Sequence, residues 1–139
     1  MHTHPDSAAE PRLWMVMAVV QPHRLDAVTL ALEHIPGLGG MTVSECRGFG
    51  RGKVAAEEPE PSGAGDRAPR RRSTDLGLVD FTAKVKLEIA VAGAERAHQV
   101  VDVITRAAHT GRPGDGKVFL WPLDHVVRVR TREEDADAL

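Results

Sequence analysis

The sequence predicts an α+β sandwich whose elements run strand, helix, strand, strand, helix, strand, with a short extra strand near the C-terminus. Three observations carry this reading. An apolar run occupies Leu13 to Val20, two later segments repeat apolar residues at spacings of three and four, and Thr82 to Val91 alternates between apolar and polar positions.

Residues 1–12 lack periodicity and read as a flexible tail, in which His2 and His4 form an incidental terminal pair. Leu13 to Val20 is apolar on both faces, which suits a central strand, and Pro22 ends it. Leu25, Val28, Leu32 and Ile35 mark one amphipathic helix, closed by Pro36-Gly37 and Gly39-Gly40. Met41 to Gly48 carries Thr42, Val43 and Cys46 and fits a second strand running into Gly48-Phe49-Gly50.

A long loop over residues 52–77 then collects Glu57, Glu58, Glu60, Pro59, Pro61 and Pro69 before the basic run Arg70-Arg71-Arg72 beside Ser73 and Thr74. Such a loop inside a domain is either a solvated linker or an interaction segment that orders on binding, and the strands on both flanks favour the second.

Thr82 to Val91 sets Ala83, Val85, Leu87, Ile89 and Val91 on a core face and Lys84, Lys86 and Glu88 on a polar one. Ala97, Val100, Val101, Ile104, Ala107 and Ala108 mark the second helix, and Val118 to Trp121 the fourth strand. Val126 to Arg130 alternates again, so Arg128 and Arg130 share a face, and residues 132–139 form an acidic tail expected to be loose. This order is the ferredoxin-like βαββαβ plan. Its open sheet has exposed edges that oligomerisation covers.

With 139 residues the chain fits one domain over residues 13–131, and its core must be aliphatic because aromatic residues make up only 4%. The net charge of -2 supplies no global attraction for nucleic acid or for anionic membrane. The single cysteine, Cys46, forms no internal disulfide, and no secretory segment precedes Leu13, so a reducing cytoplasm is expected. The longest apolar stretch is too short to cross a bilayer, so no membrane insertion is expected.

Chemistry concentrates at Thr110-Gly111-Arg112-Pro113-Gly114-Asp115-Gly116-Lys117. Three glycines allow close backbone approach to a ligand, and the terminal lysine adds a point charge, a combination that suits phosphate. Gly111, Gly116 and Lys117 even match the phosphate-loop spacing, but Val118 stands where magnesium would need a hydroxyl, and the strand follows the turn instead of preceding it. The competing reading is a helix-to-strand turn whose glycines merely reverse the chain. Lys84, Lys86, Arg128, Arg130 and the loop arginines could converge with Lys117 on a polyphosphate, although such residues singly serve often to keep an edge strand soluble.

These segments together resemble the PII signal-transduction proteins, the nitrogen-regulatory family, from about Leu13 to Glu133 apart from the long loop. The resemblance is carried by Leu25-Asp26-Ala27-Val28, Met41 to Glu45 running into Gly48-Phe49-Gly50-Arg51, Lys84 to Ile89, Thr110 to Phe119, and Val127-Arg128-Val129-Arg130-Thr131. It implies a homotrimer with ATP or ADP as effector in the clefts between subunits. Gly114, Asp115, Gly116 and Lys117 would then hold the phosphates, with Gly48 and Arg51 nearby, Arg128 and Arg130 reaching in from the adjacent subunit, and Thr42 and Glu88 around the adenosine. Residues 52–77 would be the T-loop, presenting Arg70, Arg71, Arg72 and Ser73 to a target protein such as a membrane transporter.

Some positions depart from the family pattern. Gly52 replaces a glutamine that holds magnesium and recruits 2-oxoglutarate, so only Lys84 remains for an oxoacid and a weak or absent response is expected; participation of magnesium stays open. The absence of any tyrosine excludes nucleotidylation of a loop tyrosine, and Gln21 replaces a lysine common before the first proline. No catalytic or metal-ligand set is expected. The alternatives are a slow nucleotide hydrolase, which would need a water activator near Lys117, and a nucleic-acid module, which would need aromatics on the sheet; a metal-responsive trimer ranks below both.

Overall fold

The computed structural model describes residues 10–49 and 81–139. The long loop with Arg51, Gly52, Arg70, Arg71, Arg72 and Ser73, together with residues 1–9, lies outside the described residues. The elements are β1 (Leu13–Val20), α1 (Leu25–Glu33), β2 (Met41–Gly48), β3 (Thr82–Ala92), α2 (Ala94–Ala108) and β4 (Gly116–Leu123). Short 3₁₀ turns at Pro22–Arg24 and Asp135–Ala138 complete them.

The four strands form one antiparallel sheet in the order β2-β3-β1-β4. The strand with the least polar sequence, β1, therefore takes an interior position, paired on both edges, while β2 and β4 become the edges. Register follows from which residues must be buried. Val16, Ala18 and Val20 face Ile89, Leu87 and Val85 across the β1–β3 ladder, and all six are buried. Val28 and Leu32 of α1, with Ala97, Val100 and Ile104 of α2, close over the same face, giving two layers around an aliphatic core. Arg24 ties the helices at one end by donating through Nε to the Ala107 carbonyl (3.0 Å).

Four sequence expectations change. The fourth strand starts at Gly116 instead of Val118, because Gly116 and Lys117 already pair with Val20 and Val19. Lys84, assigned to a polar face, is only 9% exposed because the turn at Gly114 lies over its ammonium, whereas Ala83 on the apolar side is exposed.

The fifth strand at Val126 to Arg130 does not form. Residues 129–131 turn, Arg132 adopts φ 62°, and the chain folds back on itself. Its hydrogen bonds join Arg128 N to the Glu133 carbonyl (2.9 Å) and Asp135 N to the Val126 carbonyl (2.8 Å), with Val127 bridging Glu134. The last residues are likewise not loose: Asp135 accepts from the Val126 amide (3.3 Å) and lies 3.1 Å from His125 Nδ1.

Because Ile104 is fully buried between α2 and the sheet, Ile104→Ala should lower the unfolding free energy by about 2–5 kcal/mol in urea denaturation. A loss below about 1 kcal/mol would contradict this packing.

Candidate functional site

The sheet face turned away from the helices carries the polar groups, and the register arranges them in rows. One row reads Thr42, Glu88, Met17, Phe119 across β2, β3, β1 and β4; the next reads Ser44, Lys86, Val19, Lys117. Cys46 pairs with Lys84 one step further along. Side chains at every second position share a face, so Lys84, Lys86 and Lys117 converge toward one end with Glu88 as the acidic member of these rows. Lys86 Nζ lies 3.3 Å from Glu88 Oε1, a half-exposed pair that orients the carboxylate toward the lysine side.

The glycine turn closes this end. Gly116 sits at φ 105°, and a Cβ there would stand 1.7 Å from the Val19 carbonyl oxygen, so only glycine permits β4 to leave the turn already paired with β1. Gly114, at φ 92°, points its carbonyl back toward the sheet. That oxygen accepts from Gln21 Nε2 (2.8 Å) and from the Lys84 ammonium. Gly48 ends β2 beside this arrangement, its carbonyl accepting from the Thr82 hydroxyl (3.2 Å), and the Lys84 stem passes over it.

Asp115 faces into the turn. Its carboxylate accepts from the amides of Thr110 (2.8 Å) and Gly111 (2.9 Å) and from the Thr110 hydroxyl, with His109 Nδ1 at 3.8 Å. The Thr110 hydroxyl bond foremost, then the Thr110 amide, the Gly111 amide and His109, hold this carboxyl below its ordinary range against a raising effect of burial. Asp115 therefore shapes the turn from within.

The structure thus gathers Gly48, Gly114, Asp115, Gly116 and Lys117 around Lys84, while Glu88 and Thr42 lie on the same open face one row away, Thr42 on the opposite edge strand. Arg128 and Arg130 are not with them. Leu123 ends β4 opposite Leu13, a full strand of about 20 Å from Val19 and Lys117, and the C-terminal residues lie at that far end against Gly39. Arg128 donates there through Nε to Ala138 O (3.2 Å) and through a terminal nitrogen to Leu139 O (2.6 Å), whereas Arg130 is exposed in the turn. Sequence reasoning missed the contact of Gln21 with the turn and the capping of Asp115 by Thr110. The first becomes visible only through the pairing of Val20 with Gly116; the second had a local signal in a carboxylate five residues after a threonine. Among the described residues no group of three or more potential metal ligands gathers, and no helix is long and apolar enough to cross a membrane.

Comparison with known proteins places the chain among relatives of one family and one fold. A family model described as nitrogen regulatory protein P-II matches residues 13–133. Nitrogen regulatory protein P-II of Synechocystis is 43% identical over 89% of this chain and 97% of its own length, and that of Rhizobium etli is 42% identical over 90% and 98%. A solved structure of Arabidopsis thaliana PII bound to citrate superposes with a TM-score of 0.66 at 34% identity, covering 93% of this chain and 94% of its own.

Two outcomes follow from the turn. Gly116→Ala should break the β1–β4 pairing at Val19, seen as accelerated amide exchange along β4, and unchanged exchange there would refute the close approach. A depressed Asp115 pKa means its bonds stabilise the turn above the usual carboxylate range and are lost as pH falls through the lower folded value. NMR titration of the Thr110 and Gly111 amides should place their transition below about 3.9, and a midpoint at or above it would show that the capping bonds are absent.

Proposed function

The chain belongs to the nitrogen regulatory protein P-II family, and from that premise we propose that it is a signalling protein that binds ATP or ADP at the Gly114–Lys117 turn and reports occupancy to a partner protein. The observation that supports it most is the glycine turn standing over Lys84 beside Lys117 at one end of the open sheet face, a face that also carries Lys86, Glu88 and Thr42. Backbone carbonyl and carboxylate of the turn are consumed internally, by Gln21 and Lys84 on one side and by Thr110 and Gly111 on the other. The exposed Lys117 then supplies the outward anion-attracting charge, while Lys86 is already paired with Glu88.

Lysines on one sheet face attract phosphate as point charges but leave one flank of it open. Arg128 and Arg130, at the far end of the same chain, reach such a ligand only from another copy, which is why we propose a homotrimer with nucleotide in the clefts between subunits. Phe119 and Trp121, both more than a third exposed on the open face, supply apolar area for that association. In the new assembly Arg128 would exchange its bonds to Ala138 and Leu139 for phosphate oxygens.

Segment 52–77 joins β2, which ends at Gly48, to β3, which begins at Thr82, in the sequence, and we assign the partner-binding role to it, on Arg70, Arg71, Arg72 and Ser73. A nucleotide that favours one arrangement of this segment shifts its population, and partner affinity with it. Citrate in the plant relative is a polycarboxylate, and Lys84 is the residue through which an acid effector would act here. With Gly52 in place of an amide ligand, 2-oxoglutarate has little to hold it. The role is regulatory in this reading, and no hydrolytic turnover is assigned.

Isothermal titration of the full chain with ATP and with ADP should show saturable binding, and Lys117→Ala should weaken it at least about tenfold, the effect of one charge-assisted contact. Absence of heat for both nucleotides at millimolar concentration would sink the proposal.

A further inference from the structure

We propose that Gln21 is the positioning residue of the Gly114–Lys117 turn, setting where its backbone presents itself to a bound anion; this rests on the reading of the turn as a nucleotide site. Gln21 follows β1 directly, and the Val20–Gly116 pairing carries it across from the turn. Its own backbone is fixed, because its carbonyl accepts from Arg24 N (2.9 Å) as Pro22 opens the 3₁₀ turn. From that anchored position its amide donates to the Gly114 carbonyl at 2.8 Å.

The carbonyl has two lone pairs, and the second is taken by the Lys84 ammonium. A neutral amide and a cation therefore share one acceptor without like-charge repulsion. The fit is close: a Cβ on Gly114 would stand 3.0 Å from Gln21 Nε2 and 3.3 Å from Lys84 Nζ, so glycine at 114 is what lets both donors sit there. Asp115, the next residue, is pinned from the opposite side by Thr110 and Gly111. The turn is held between two anchors, and Gln21 belongs to the one that connects it to the sheet. Without Gln21 the Gly114 carbonyl keeps only the Lys84 ammonium, so the backbone at Gly114 and Asp115 shifts relative to Lys117, which the ladder holds opposite Val19.

Gln21 borders an open groove of about 330 Å³ lined also by His23, Thr110, Arg112 and Pro113, so replacements of equal length fit without disturbing the core. Gln21→Glu keeps the shape, removes the donor and turns an acceptor toward the carbonyl; Gln21→Leu removes all polarity. In the full chain both should raise the dissociation constant for ATP about tenfold, the loss expected of one well-placed hydrogen bond. Both should also accelerate amide exchange at Gly114 to Lys117 while leaving exchange in the Val85 to Val91 core strand unchanged, a local signature that a general loss of stability does not produce. Faster exchange at the turn in a chain that binds no ATP even as wild type supports the positioning role and removes the nucleotide reading. Unchanged exchange at the turn, or faster exchange with unchanged ATP affinity, overturns the inference.

Discussion

Val20 lies between Val85 on one side and Gly116 on the other, and the placement of the polar residues depends on that register. An interior strand buried on its helix-facing side tolerates no slip, because a shift of one residue would turn Val16, Ala18 and Val20 out of the core. Fixing β1 also fixes its neighbours. Lys86 and Lys117 then fall in one row, Thr42 and Glu88 in another, and Gly114 arrives over Lys84. The charged face is a consequence of the apolar one.

Burial of Lys84 shows how the two layers of constraint meet. A lysine ammonium taken from water needs compensation, and here a carbonyl in the turn helps provide it. The turn gains a fixed anchor from the same bond, and Gln21 reinforces it. Its inward side is consumed by Asp115, Thr110 and Gly111, which leaves the outward side for the anion proposed above. Pre-organisation of this kind would reduce the ordering cost of the proposed binding.

The C-terminal residues follow a different logic. Val127 and Val129 alternating with Arg128 and Arg130 resemble a strand by pattern, yet among the described residues the segment bridges only its own return, at Glu134. The segment satisfies its backbone through its own return at Glu133 to Asp135, and Arg128 binds main-chain oxygens of the last residues. Alternation describes which side chains share a face; it does not supply a pairing partner. The same separation of about 20 Å between Lys117 and the arginines is what makes a second copy necessary to the proposed site.

The sequence by itself determined the four main strands, both helices and the aliphatic core, because these depend on local periodicity and on where proline and glycine interrupt it. It also located the glycine turn and, through several separated segments, the family. Tertiary structure alone decided that Lys84 is buried and bonded to Gly114, that Gln21 supports the turn, and that Arg128 and Arg130 lie a strand's length from Lys117. The reason is physical: each of these depends on register and on the direction of a chain reversal, contacts between residues roughly thirty to ninety apart in sequence, for which no local pattern carries information.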